Sequence, residues 1–134
     1  MASAKILIVD DEALVRFSLR ERLTADDYDV LEAGLASEAL ERLSTTEIDL
    51  VLLDLKLPDS DGLTTLKRVK ELASDTEVIM ISTTTDTTDA IEAMKSGAYH
   101  YINKPFNLDE VVMIVDKALE RSQLRREVRS LRGC

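Results

Sequence analysis

The sequence predicts an α/β fold, a doubly wound parallel sheet with helices on both faces. Three observations predict it. Short, continuous apolar runs recur along the chain, amphipathic helical patterns fill the gaps, and glycine or capping residues stand at the joins. Strands buried on both faces read as unbroken apolar runs, and burial on both faces is the mark of a parallel sheet. Strand and helix in regular alternation then give the doubly wound arrangement.

Taken in order, the apolar runs are Ile6-Leu7-Ile8-Val9, Leu50-Val51-Leu52-Leu53 and Val78-Ile79-Met80-Ile81. Tyr28-Asp29-Val30-Leu31 is more polar, as an edge strand is. Ala98-Tyr99-His100-Tyr101-Ile102 is the fifth strand, with His100 expected as a packed structural side chain. Between them, apolar residues share helical faces: Val15, Leu19 and Leu23; Ala36, Leu40 and Leu43; Leu63, Leu66 and Val69; Ala90 and Met94. The last helix carries Leu108, Val111, Val112, Val115, Ala118 and Leu119. Gly97 stands where the fourth helix should stop. Asn107, three before Glu110, has the spacing of a capping box.

At 134 residues the chain fits one compact domain. Hydrophobic residues at 45% and charged residues at 32% are ordinary for a globular protein. No apolar run approaches the roughly 18 residues of a membrane span. The first residues lack the regions of a signal peptide, so a cytoplasmic location is expected. The single cysteine, Cys134, excludes an internal disulfide. Net charge is −9, unevenly spread: residues 121–134 hold five arginines against one glutamate, a net of +4, which leaves −13 for residues 1–120. An acidic body repels nucleic acid and suits a cation. The helical pattern runs on through Leu124, Val128 and Leu131 with arginines between them. Two readings stay open: a solvated helix end, or a dimerising or signal-transmitting helix, since the stretch is too short to establish a heptad.

Sites in such sheets form at the carboxyl ends of the strands. The first strand ends on Asp10-Asp11-Glu12, the third on Asp54, the fourth on Ser82-Thr83, and the fifth on Asn103-Lys104-Pro105. Carboxylates, a hydroxyl and an ammonium should therefore converge. Gathered carboxylates repel unless a cation sits among them. Few hard oxygen ligands near solvent favour Mg²⁺ with water retained. A carboxylate held there can attack a phosphoryl group to form an acyl phosphate. Each residue alone has a plainer reading. Asp10-Asp11 could be a helix cap, Asp54 a turn residue like Asp59 and Asp61, Lys104 a solvated side chain, and Ser82 part of a polar loop with Thr83, Thr84 and Thr85. Their common place at one end of the sheet outweighs these.

Four motifs resemble the receiver domains of two-component response regulators: VDDE at 9–12, DLKLPDSDG at 54–62, IMIS at 79–82 and GAYHYINKPF at 97–106. The resemblance covers about residues 4–121. It implies a flavodoxin-like five-stranded parallel sheet in order 2-1-3-4-5 with five helices and an extended C-terminal helix. It implies Asp54 as phosphoacceptor, Asp11 as a direct Mg²⁺ ligand, Asp10 acting mainly through water, and Lys56 as the backbone carbonyl ligand. Ser82 and Lys104 would hold the phosphoryl group, with Lys104-Pro105 cis. Ser82 and Tyr101 would form the conformational switch. The implied partners are a histidine kinase and a second copy of the chain, through the face of the fourth helix, fifth strand and fifth helix and through the C-terminal helix.

The sequence departs from the pattern at Thr83, where relatives usually carry Ala or Gly, and at Asp59, where Gly is common. The YINKPFNLDE stretch and the helix running into LRREVRSLR resemble receivers of sigma-54-type transcriptional activators. A receiver at 1–121 and the start of a linker helix at 122–134 are then expected, with DNA and sigma-54 polymerase contacted only through domains outside this chain. Two other functions compete. A phosphohydrolase using Asp54 on an external substrate lacks an acidic residue at position 56. A binding module without phosphate chemistry would not need Asp10, Asp11, Asp54, Ser82 and Lys104 together.

Overall fold

The computed structural model describes residues 3–83 and 86–132, with side chains described through Leu124. Five strands and five helices alternate: β1 Lys5–Val9, α1 Ala13–Ala25, β2 Asp29–Ala33, α2 Ala36–Thr45, β3 Leu50–Asp54, α3 Gly62–Leu72, β4 Glu77–Ser82, α4 Thr87–Lys95, β5 His100–Asn103 and α5 Leu108–Arg132. All strand pairs are parallel and the order is β2-β1-β3-β4-β5. The expected fold class is therefore observed.

The burial explains the strand patterns. The runs in β3 and β4 are buried at every position, and β1 at all but its first. Fully burying one such aliphatic side chain contributes roughly 1.5–3 kcal/mol, which a strand covered on both faces collects at every residue. Edge strand β2 is half-buried, as its polarity requires. Alternate residues feed two core layers. Leu7, Val9, Val51, Leu53, Val78 and Met80 pack under α2, α3 and α4. Ile6, Ile8, Leu50, Leu52, Ile79 and Ile81 pack under α1 and α5.

Two local expectations are corrected. His100 is exposed, because β5 is an edge strand and leaves its first residue uncovered. On α4 the buried residue is Ala93, while Met94 is 47% exposed. Packing of α5 continues past residue 121, since Ser122 is buried and donates to the Asp75 carbonyl. Leu124 is exposed, and the side chains of Val128 and Leu131 lie outside the described residues, as do Thr84, Thr85 and Cys134.

Helix ends follow the capping signals. Asn107 Oδ1 accepts from the Asp109 N–H at 2.8 Å and the Glu110 N–H at 3.3 Å. Gly97 adopts φ 105°, beyond the reach of most L side chains. A Cβ there would also meet the Lys70 side chain at 3.4 Å. Lys70 itself closes the end of α3, donating to the Ser74 and Thr76 carbonyls. Gly97→Ala is expected to lower stability by about 1–2 kcal/mol, read as a reduced urea midpoint with unchanged slope.

Candidate functional site

The carboxyl ends of β1, β3, β4 and β5 meet at one edge of the sheet, and the expected residues meet there. Register places Asp54 beside Ile81, and Ser82 beside Asn103. Lys104 is the hub. Its Nζ lies 2.7 Å from Asp10 Oδ2, 3.3 Å from Asp54 Oδ2 and 3.4 Å from Glu12 Oε1. Its backbone N–H donates to the Ser82 carbonyl at 2.7 Å, and the Lys104-Pro105 peptide is cis.

Asp10 uses both of its carboxylate oxygens. Oδ1 accepts the Glu12 N–H at 2.8 Å, shaping the turn into α1, while Oδ2 holds Lys104. Arg16 secures the same turn: one guanidinium nitrogen donates to the Asp10 carbonyl, and Nε pairs with Glu32 at 3.1 Å. Asp54 is buried, with Oδ1 accepting the Lys56 N–H at 3.1 Å and Oδ2 facing Lys104. Asp11 is exposed, at the solvent side of the group. Ser82 is buried at the end of β4, with exposed Thr83 after it.

Carboxylate oxygens of Asp10, Asp11, Glu12 and Asp54 can all lie within 4.8 Å of one another. The donors are hard oxygens, two from buried and two from exposed side chains, which fits a hydrated divalent cation such as Mg²⁺. The electrostatics point the same way. Burial, and after it the charge of Asp10, hold the Asp54 carboxyl above its ordinary value, against the Lys56 N–H and Lys104. Burial alone would push Lys104 down. Its hydrogen bond and charge contact with Asp10, then Asp54, outweigh that and hold the ammonium above its ordinary value.

Tyr101 on β5 packs against the core beneath α3 and α4. Its hydroxyl is buried and has no hydrogen-bond partner among the described residues. The ring is therefore turned inward. Ile91 and Met94 on α4 and Met113 on α5 are exposed apolar residues.

Some site residues were not singled out from the sequence. Glu12 closes the VDDE run, and in the fold its carboxylate lies 3.4 Å from Lys104 Nζ. Gly62 stands in the sequence only as the end of a motif, but in the fold its N–H donates to the Leu55 carbonyl at 2.5 Å directly behind Asp54. Asp61 caps α3 through the Thr64 N–H at 2.8 Å. Asp59, expected as a turn residue, instead caps α2: it accepts from the N–H groups of Ala36 at 2.8 Å and Ser37 at 3.0 Å.

Comparison with known proteins agrees with this geometry. The response regulator receiver domain family matches residues 6–116. The chain is 35% identical over 127 residues to the Escherichia coli regulatory protein AtoC, covering 95% of this chain and 28% of AtoC. It is 34% identical to the Bacillus subtilis chemotaxis protein CheY, covering 86% of this chain and 97% of CheY. The CheY-like receiver from Methanospirillum hungatei superposes with a TM-score of 0.89 at 28% identity, covering 92% of this chain and 98% of that one. NtrX from Brucella abortus gives 0.89 at 35% identity, covering 96% of this chain and 29% of NtrX. The chain thus spans about the whole of the single-domain relatives and little more than a quarter of the regulators. With its sheet order, its acidic edge and the family match over residues 6–116, the chain belongs to the receiver domains of two-component response regulators.

Proposed function

We propose that Asp54 accepts a phosphoryl group from the phosphohistidine of a partner kinase and that the resulting charge drives a conformational switch. The observation that carries this reading is the contact of Lys104 Nζ with both Asp10 and Asp54 at the cluster of four acids. Asp10, Asp11 and Asp54, with the backbone carbonyl of Lys56, would hold Mg²⁺. When bound, the ion supplies positive charge against the acids and against the incoming phosphoryl oxygens.

The work of the chain is positioning and charge neutralisation, as in phosphoryl transfer generally. The Lys56 N–H fixes one oxygen of Asp54 and leaves the other toward Lys104. That carboxylate forms the new O–P bond as the N–P bond of the donor breaks. The imidazole nitrogen leaves with the electron pair and takes up a proton from solvent. Lys104 transfers its contact to a phosphoryl oxygen, and the Ser82 hydroxyl donates to another. Tyr101, already turned inward, is held there as Ser82 moves, and the apolar surface of α4 and α5 changes its exposure. A bias of about 1–3 kcal/mol between two states suffices for such coupling. That surface, with its exposed Ile91, Met94 and Met113, supports pairing with a second copy of the chain. Output through DNA and sigma-54 polymerase would belong to domains outside this chain, joined through the long α5.

Incubation with a small-molecule phosphodonor and Mg²⁺, followed by intact mass, tests the reading. Wild type should gain one phosphoryl group and Asp54→Ala none. No gain in wild type, or equal gain in the variant, sinks it.

A further inference from the structure

The two halves of the acidic site come from segments far apart in sequence. Asp10, Asp11 and Glu12 sit on the loop after β1, while Asp54 and Lys56 begin the loop between β3 and α3. The pairing of β1 with β3 and the shared contact of Lys104 join the two at their base, and a further tie runs from the second loop to α2. Helix α2 starts without a cap of its own: Leu35 has the extended backbone of a capping residue, φ −134° and ψ 152°, but no side-chain hydrogen bond to the helix. The cap arrives from the β3–α3 loop. Both carboxylate oxygens of Asp59 are used, one on the Ala36 N–H and one on the Ser37 N–H. A carboxylate is well placed at a helix N-terminus, where dipole and orphan N–H groups both favour negative charge.

The segment just before α2 is also tied to the first loop. The Asp10 N–H donates to the Ala33 carbonyl at 3.1 Å. The Arg16 guanidinium that grips the Asp10 carbonyl also lies about a van der Waals contact from the Cβ position of Gly34. A continuous path therefore runs from the Asp10 loop through Ala33 and Gly34 to the start of α2, and through Asp59 into the loop carrying Asp54 and Lys56. On its other side that loop is held by Asp61 at α3 and by the Lys56–Asp61 bridge. Asp59 is its tie toward α2.

We infer that Asp59 is a positioning residue for the Mg²⁺ site: by capping α2 across the chain it sets the Lys56 carbonyl and Asp54 at the right separation from Asp10 and Asp11. This rests on the proposed phosphoacceptor reading and adds to it a residue that touches neither metal nor phosphate. Residues bonded directly to metal ligands typically change affinity by roughly 10–100-fold when removed. Asp59 acts one step further out, so about a 5-fold loss is expected.

The test separates helix capping from loop positioning. Four proteins are compared by Mg²⁺ titration followed through amide NMR shifts, and by thermal unfolding: wild type, Asp59→Ala, Leu35→Ser, and the double variant. Serine at Leu35 returns a cap to α2 from its own chain segment without restoring the tie to the loop. Asp59→Ala should weaken Mg²⁺ binding about 5-fold and lower the midpoint. The double variant should regain the midpoint of Leu35→Ser and keep the weak Mg²⁺ binding. Asp59→Asn, which keeps one accepting oxygen, should fall between wild type and alanine. Unchanged Mg²⁺ affinity in Asp59→Ala overturns the inference, as does recovery of affinity together with stability in the double variant. Wild type that binds no Mg²⁺ overturns the phosphoacceptor reading itself, and this inference with it.

Discussion

Gly62→Ala is expected to lower stability by about 2–3 kcal/mol and to displace the phosphoacceptor. A Cβ on Gly62 would stand 2.5 Å from Leu55 Cα, 2.7 Å from the Leu55 carbonyl oxygen and 2.8 Å from the Asp54 carbonyl oxygen. Every one of these is a backbone atom, so no side chain can swing aside. The strain must move the end of β3, the start of α3, or both, and overpacking of this kind costs roughly 1–3 kcal/mol or more. For a domain of this size that is a midpoint lower by roughly 8–12 °C. The movement falls on Asp54 itself, so phosphorylation by a small-molecule donor should slow more than stability alone accounts for, at a temperature where the variant is still folded. A variant that melts within a degree or two of wild type would show that the close approach is not required.

Lys104→Ala is expected to have the second large effect, and its size depends on pH. The lysine side chain is 9% exposed and faces Asp10 and Asp54, at 3% and 8%. Removing one partner from a buried charge group costs about 3–5 kcal/mol, because the remaining charges stay desolvated. Here the acids have an escape, since they can take up protons. The Asp54 carboxyl is already held above its ordinary value by burial and by Asp10, and Lys104 is among the groups that oppose this. A carboxyl raised in the fold adds stability below its unfolded pKa of about 3.9, and that contribution is lost as pH rises through the folded value. Without Lys104 the folded value moves higher, so the loss is larger and extends further toward neutral pH. The variant should lie closest to wild type near pH 4 and furthest below it around pH 7, measured by urea unfolding without divalent cations. Millimolar Mg²⁺ should recover part of the deficit by mass action, since the cation replaces the missing charge. Phosphoryl transfer should stay slow even with Mg²⁺, on the order of 100-fold below wild type, because a fixed donor for the transferred oxygens has gone. A pH-independent deficit would mean that Lys104 contributes by packing and not by charge.

The strands, their parallel arrangement and the convergence of Asp10, Asp11, Asp54, Ser82 and Lys104 were all legible in the sequence. Apolar runs reveal burial on both faces, and parallel strands bring their carboxyl ends to one edge, so the last residues of separate strands must become neighbours. The 2-1-3-4-5 order followed from resemblance, and the observed sheet has it. Local periodicity failed at particular places for particular reasons. His100 looked packed between two tyrosines, but edge position leaves it in solvent. Met94 had the helical spacing of a core residue, but α4 turns Ala93 inward.

What only the tertiary structure decided is how separated backbones touch. Asp59 reads as one more turn residue until the start of α2, 23 positions earlier, is seen to lack its own cap. Gly62 reads as the end of a motif until the carbonyls of Asp54 and Leu55 are found against it. Glu12 reads as the trailing acid of a run until Lys104 arrives from the opposite end of the chain. Hydrophobic period and strand ends are properties of one segment and can be read along it. A cap supplied across the chain, a backbone too close for a Cβ, and an ammonium shared among acids are relations between segments, fixed only when packing sets their distances.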